Sequence, residues 1–269
     1  MPGPYVHGYT MDEARRLEDQ ADVLVDLLHA GVRYPPGSRI LEVGCGVGAQ
    51  TIHLARNNPR CAITAVDIAA DSLAAARSRL AGAGLDNVTF VHGDLLALPF
   101  APGSFDQLFV CFVLEHLRDP ESALRRLAAH VVPGGGLTVI EGDHGTFLCY
   151  PDSEATREPI ACLVELQRQA GGDALIGRRL YPLLCAAGYR SVRVEPIPVY
   201  ADLSRPRMMD GFTRNTFNAM VAGVETRALE AGLTTPEAWR AGMQVLERAA
   251  EGGTAFYCFF RARAVHPAG

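Results

Sequence analysis

A chain of 269 residues, 48% of them apolar, is long enough for one α/β domain with an insertion and apolar enough for a sizeable core. Its formal net charge is −5 and it has no dense basic stretch, which argues against a nucleic-acid substrate, since that affinity depends on neutralising phosphates. No apolar run approaches the ~18 residues of a membrane span, and the start Met1-Pro2-Gly3-Pro4 lacks a charged-then-apolar leader pattern, so a cytoplasmic location is expected.

The first helix is signalled by Thr10 and Glu13, an S/T-x-x-E capping box. Apolar residues then recur at Ala14, Leu17, Ala21, Leu24 and Leu28, one stripe that faces either its own domain or a second subunit. Pro35-Pro36-Gly37 ends the segment. Short apolar strands and helices alternate from there. Strands are predicted at Ile40 to Val43, Ala62 to Val66, Val88 to Val91, Phe105 to Val113 and Leu137 to Glu141. Helices are predicted at Gln50 to Asn57, Ser72 to Ala81 and after Asp119-Pro120, where the aspartate is the N-cap and the proline the first helical residue. This rhythm, with β-branched strands, predicts a mostly parallel sheet covered on both faces.

After Asp143 the rhythm changes. Helices are expected over Ser153 to Gln169, Leu175 to Ala187, roughly Pro206 to Glu230, and from Thr235-Pro236-Glu237 to Ala249. Two further strands are expected, Val192 to Pro198 and the aromatic Ala255 to Ala262. The long connection between them is suited to a helical lid. The division expected is 1–36 as a helical cap, 37–145 as the cofactor-binding core, and 146–269 as substrate lid plus the last two strands.

Leu41-Glu42-Val43-Gly44-Cys45-Gly46-Val47-Gly48 is the most informative stretch. Glycines between a buried strand and a helix let backbone approach a ligand closely. Gly44, Gly46 and Ala49 also fit the dinucleotide pattern G-x-G-x-x-G/A, and Asp67 ends the second strand where an acid holds ribose hydroxyls. Alone, this is ambiguous between a nicotinamide cofactor and S-adenosylmethionine. Three features favour the latter: Glu42 two residues before the first glycine, a second acid, Asp94, after the third strand, and a helix preceding the first strand. A Tyr-x-x-x-Lys pair for hydride chemistry is not evident, and the chain has no lysine to supply one.

Four segments carry a resemblance: Pro35 through Gly46, Leu98-Pro99-Phe100, Ser104-Phe105-Asp106 and Val132-Pro133-Gly134-Gly135-Gly136. In them the chain resembles class I S-adenosylmethionine-dependent methyltransferases, especially the UbiE-like, type 11 group acting on quinones, sterols and bacterial natural products. The likeness is specific over roughly residues 36–145, while 146–260 is similar to actinobacterial natural-product methyltransferases. It implies a Rossmann-like α/β fold with seven strands, the last two an antiparallel hairpin-like edge. It also implies that Gly44, Gly46 and Gly48 face the methionine part of the cofactor. Asp67 would hold the ribose diol, Ile68 would lie against the adenine, and Asp94 with Leu95 would recognise that base. Cys111 would lie beside the cofactor, Gln50 would reach its carboxylate, and Tyr9 and Gln20 would help from the first helix. The expected reaction is methyl transfer to a small apolar or aromatic metabolite of bacterial secondary metabolism. The alternatives are a NAD(P)-dependent oxidoreductase and a protein that binds S-adenosylmethionine without transferring its methyl. A homo-oligomer through the first helix is a further expectation.

Ligands of such sheets bind beyond the carboxyl ends of the strands. Two histidines are expected there, His116 after strand four and His144 after strand five. His144 lies in Glu141-Gly142-Asp143-His144-Gly145, which suggests an imidazole that orients or deprotonates the acceptor, with Glu141 or Asp143 steadying the ring. The seven cysteines, Cys45, Cys61, Cys111, Cys149, Cys162, Cys185 and Cys258, form no CxxC pair, so neither a metal site nor a disulfide framework is expected. The aromatics Phe147, Tyr150, Tyr181, Tyr200, Phe212, Phe217 and Trp239 divide between core and acceptor pocket.

Overall fold

The computed structural model describes residues 11–267, with side chains from Gln20 onward. Thr10 and Tyr9 lie outside the described residues, as do the side chains of Glu13, Ala14 and Leu17. The capping box therefore lies outside them, as does the first half of the apolar stripe. Helix α1 (Met11–Leu28) buries the second half, Ala21, Leu24 and Leu28, against its own domain.

The alternation that follows is β1 (Arg39–Val43), α2 (Thr51–Asn57), β2 (Ala62–Asp67), α3 (Ala70–Gly82), β3 (Val88–His92), β4 (Phe105–Cys111), α4 (Pro120–Ala128) and β5 (Val131–Gly142). The Asp119 side chain caps α4 as expected, accepting from the Ser122 N–H at 2.9 Å. The lid region holds β6 (Leu148–Tyr150), α5 (Arg157–Gln169), α6 (Leu180–Ala186), β7 (Arg190–Ala201), α7 (Pro206–Met208), α8 (Ala219–Ala222), α9 (Glu225–Glu230) and α10 (Pro236–Gly252), and β8 (Thr254–Val265) closes the chain. Pro182 sits in the first turn of α6, where a missing N–H costs nothing.

The strands stand in the order β3-β2-β1-β4-β5-β8-β6, with β7 on the free side of β8. Strands β1 to β5 are parallel, and β8 is antiparallel to its neighbours β5, β6 and β7. The order reverses between β1 and β4, the switch point at which such sheets open a ligand crevice. Successive strand residues enter opposite cores: Ile40 and Phe109 join one, Leu41 and Leu108 the other. Both faces are thus covered, as buried parallel strands require.

Three differences from the sequence reading have physical causes. The sheet has eight strands rather than seven, because β6 pairs Leu148–Tyr150 with the first residues of β8, beyond the point where β5 ends. Strand four stops at Cys111, not Val113, since Phe112 turns the backbone to φ +57°. The Pro206 to Glu230 region is not one helix: between α7 and α8 it widens into a π-helix over Met209–Asn218. There Gly211 lets α1 approach closely, for a Cβ at this position would lie 2.2 Å from Val23 Cγ2.

Candidate active site

The glycine turn hangs from the end of β2, where the N–H groups of Gly44 and Cys45 both donate to Val66 O at 2.8 and 3.1 Å. Gly44, Gly46 and Gly48 all have positive φ, 68°, 52° and 76°. A side chain is also barred sterically at two of them. A Cβ on Gly44 would lie 2.5 Å from Val113 Cγ2, and one on Gly48 3.0 Å from Ala76 Cβ. At Gly46 a Cβ would meet nothing within 4 Å, so the middle of the turn faces open space. This is a backbone cradle that a ligand can enter.

Acids surround it. Asp67 accepts from the Gly46 N–H at 2.7 Å and the Ala69 N–H at 2.9 Å, which holds the turn in place. A carboxylate has about four lone-pair sites, so capacity remains for two hydroxyls. Glu42 is buried beneath the turn, and its Oε2 has no hydrogen-bond partner among the described residues. Burial pushes its carboxyl up to about 8, with the charge of Asp67 adding to the effect. A cationic ammonium placed here would relieve that cost. Ile68, a large apolar side chain, is 47% exposed at the same edge, which suits a face covered by a flat base. Asp94 accepts from the Leu96 N–H at 2.8 Å, and Leu95 beside it is half-buried. Cys111 is buried at the end of β4, and burial raises its thiol well above the ordinary range. These residues fit an adenosyl-amino-acid cofactor: cradle, hydroxyl acceptor, apolar shelf and an unsatisfied acid.

Gln50 does not point freely into the cradle. Its Oε1 lies 2.7 Å from Nε2 of His29, a buried residue just after α1 that sequence reasoning missed. Gln20 is buried on α1.

Beyond β4 and β5 the side chains are differently arranged from the expectation. Glu141 is fully buried and accepts from the N–H groups of Val113 and Leu114 at 3.0 and 2.7 Å, so it braces the turn after Phe112. Burial holds its carboxyl well above the carboxylate range, and the negative charge of Glu115 adds to that. Asp143 forms a two-pronged pair with Arg178, one prong at 2.7 Å. Neither acid is bonded to the ring of His144. Its Nδ1 lies instead 2.9 Å from the hydroxyl of Tyr257. The expectation that Glu141 or Asp143 steadies the imidazole is therefore corrected: each carboxylate is committed to backbone or guanidinium, and a phenol takes the place. His116 lies 3.6 Å from Glu115, on the flank of the same turn.

His144 stands among aromatics. Phe147 stacks on Phe217 with ring centroids 4.0 Å apart, and Phe112, Phe212 and Phe259 continue the wall. Of the aromatics singled out in the sequence, Phe147, Phe212, Phe217 and Trp239 are buried, while Tyr150, Tyr181 and Tyr200 are exposed. Sequence reasoning missed Glu115, Phe112 and Tyr257. The aromatic last strand was visible, but not that its tyrosine meets a histidine 113 residues earlier. A cavity of about 370 Å³ lies elsewhere, at the amino edge of the strands beside Tyr34, Gln107 and Arg263, and none of the predicted site residues lines it. Among the described residues no group of three or more His, Cys, Asp or Glu could hold a metal ion, and no helix is long and apolar enough to cross a membrane.

A parallel sheet with a glycine cradle and acids at its switch point defines a Rossmann-like cofactor-binding α/β protein. A family model described as a methyltransferase domain matches residues 40–135. Residues 40–135 therefore resemble a methyltransferase domain, and the relatives below extend the likeness. It is 32% identical over 160 residues to the 27-O-demethylrifamycin SV methyltransferase of Amycolatopsis mediterranei, covering 56% of this chain and 57% of that one. The fold is similar to Haemonchus contortus phosphoethanolamine N-methyltransferase 2 in complex with S-adenosyl-L-methionine, with a TM-score of 0.55, 19% identity, and 96% of this chain and 57% of that one covered. It is also similar to the cyclase SpnF, with a TM-score of 0.56, 22% identity, and 94% and 82% covered. The chain spans about half the length of several curated relatives it matches.

Proposed function

We propose that this chain transfers the methyl group of S-adenosylmethionine to a small apolar or aromatic molecule in bacterial secondary metabolism. One juxtaposition carries the reading: an open glycine cradle flanked by Asp67 and the unsatisfied Glu42 lies on the same sheet edge as the aromatic-walled His144. When bound, the cofactor supplies an electrophilic methyl on a sulfonium. The chain's part is to hold it and to aim the acceptor. In this reading Gly44, Gly46, Gly48 and Glu42 take the methionine end, Asp67 the ribose, and Ile68, Asp94 and Leu95 the adenine. Cys111 borders the cofactor, and Gln50, Gln20 and Tyr9 close that end. Collinear placement of acceptor, methyl and sulfur is a large part of what a protein contributes to such a displacement. His144 is assigned to the acceptor, with His116 and Glu141 on the flank.

Residues 1–36 form a cap, 37–145 the cofactor core and 146–269 the lid with the last strands. The acidic balance favours a small molecule over nucleic acid and a cytoplasmic setting is in keeping with the sequence, while a homo-oligomer through the first helix would have to use a face other than Ala21, Leu24 and Leu28, which its own domain buries. The likeness to a cyclase motivates a second reading, cofactor binding without transfer.

Calorimetry with S-adenosylmethionine, S-adenosylhomocysteine and NADH tests the first claim; binding of NADH alone would overturn it. Transfer of a labelled methyl to a panel of phenols, quinols and polyketides tests the second. Tight cofactor binding with no label transferred across the panel would favour the cyclase-like reading.

A further inference from the structure

We infer that the cavity at the amino edge of the strands is a binding site for a small molecule carrying a carboxylate or phosphate on an apolar body. The site is separate from the cofactor cradle, and the inference does not depend on the proposed transfer reaction.

The cavity has a volume of about 370 Å³, which suits a small organic ligand. Its polar lining is Arg33, Tyr34, Gln107, Thr138 and Arg263, and among the described residues no Asp or Glu lines it. The chain as a whole has a formal net charge of −5, so a hollow lined by two guanidiniums and no carboxylate reverses the sign locally. The strand register adds a third guanidinium. Arg193 of β7 stands directly opposite Arg263 of β8, hence on the same face of the sheet. Like charges so placed repel unless an anion lies beside them. Glu195, opposite Arg261, bonds that residue at 2.8 Å. The bond holds its carboxyl below the ordinary range, with the charge of Arg263 adding to the effect. Asp106, next to Gln107 on β4, is taken by Arg39 at 2.8 Å. Among the described residues Arg33, Arg193 and Arg263 make no ion pair of their own.

The donors are held in place and not used up. Arg263 donates to Gly31 O at 2.8 Å and Arg33 to Asn57 O at 3.2 Å, which leaves several N–H groups of each fork for a ligand. Such a fork matches the paired oxygens of a carboxylate or phosphate. The side-chain amide of Gln107 has no hydrogen-bond partner among the described residues. Gly136 makes room for it, since a Cβ there would lie 2.2 Å from Gln107 Oε1. The Tyr34 hydroxyl donates to Thr138 Oγ1 at 3.0 Å, so the threonine can pass its own hydrogen to a ligand oxygen. Val32, Leu137 and Ala264 are buried and line the same cavity. They give an apolar body somewhere to lie while its charged group meets the guanidiniums.

Ligand-observed nuclear magnetic resonance on the full chain tests this. The probes are benzoate, phenyl phosphate, inorganic phosphate and neutral benzamide. Benzoate or phenyl phosphate should bind saturably, in the millimolar range or tighter, and the stronger of the two identifies the charged group. Inorganic phosphate lacks the body and benzamide the charge, so both should bind more weakly. Arg33→Gln and Arg263→Gln should each weaken binding about tenfold or more, the scale of a lost hydrogen bond to a charged group. Arg240→Gln, which removes the same charge from α10, should not. Binding should persist when S-adenosylmethionine is present. The inference is overturned if neither organic anion binds saturably, or if inorganic phosphate or benzamide binds equally well. Full affinity in either cavity variant overturns it too. So does displacement by S-adenosylmethionine, which would put the anion in the cofactor cradle. If Arg263→Gln fails to fold for want of its bond to Gly31, Arg33→Gln still decides. Absence of S-adenosylmethionine binding would sink the proposed function and leave the anion result as it stands.

Discussion

Nε2 of His29 and Oε1 of Gln50 lie 2.7 Å apart, and this bond ties the end of the first helix to the residue that follows the glycine turn. It links the end of α1 to the start of α2, beside the glycine turn. Burial pulls His29 down to about 4, the Gln50 bond opposes the shift, and the neighbouring His53 and Arg261 deepen it. The folded-state value is below the unfolded one, so the neutral ring's contribution is complete above about 6.5 and is lost as pH falls through about 4. Replacing His29 with Gln should remove an acid-dependent loss on the order of 3 kcal/mol between those limits. Urea unfolding at pH 4 and pH 7 measures it. Equal pH slopes in both proteins would place the acid lability elsewhere.

Asp67→Ala should weaken S-adenosylmethionine binding by about 1.5–3 kcal/mol, the scale of hydrogen bonds to a charged group. Part of the loss comes through the turn, because the Gly46 N–H loses its acceptor. Asp67→Asn should lose less, since its one carbonyl oxygen can still take one of the two amides. Titration calorimetry with far-ultraviolet dichroism as a folding control gives the answer; equal affinities for all three proteins would remove Asp67 from the site.

Glu42 predicts a proton signal. Held up to about 8 by burial, it is mostly protonated at pH 7 in the ligand-free protein. Pairing with the cofactor ammonium lowers it, so binding should release close to one proton and tighten as pH rises toward 8. Calorimetric enthalpies in phosphate and in Tris should differ accordingly, and Glu42→Gln should abolish the difference. In the ligand-free protein the raised value has the opposite consequence: the stability linked to Glu42 is present below about 4.5 and is lost as pH rises through about 8.

Gly142→Ala should destabilise the fold by roughly 1–3 kcal/mol, the usual cost of overpacking, because the new methyl meets the Tyr257 hydroxyl. Adding Tyr257→Phe should recover much of it. Denaturant midpoints of the two single variants and the double variant form the cycle, and strictly additive effects would deny the contact.

His144→Ala should lower turnover by about 10²–10⁴, the range for a positioned proton-transfer group, with cofactor affinity nearly unchanged. A full rate in this variant would leave collinear positioning as the main device.

The alternation of strands and helices, the N-cap at Asp119 and the glycine turn were all legible in the sequence, because each is dictated by local rules of periodicity, capping and backbone freedom. So were the positions of Asp67 and Asp94, since strand ends carry their acids to one edge whatever the rest of the chain does. The short β6 was not, because it owes its form to a partner distant in sequence, Leu148 pairing with Phe256, and neither was the π-helix, along which Gly211 packs closely on Val23.

By itself, then, the sequence determined the class of fold and the cofactor edge. Only the tertiary structure decided what the polar side chains on that edge hold. Glu141 turned inward to the amides of residues 113 and 114, Asp143 outward to Arg178, and His144 toward a phenol from the last strand. The physical reason is that a buried polar group is satisfied by whichever complementary group the fold brings within about 3 Å. Adjacency in Glu141-Gly142-Asp143-His144 says nothing of this, because successive residues at a strand end point in different directions.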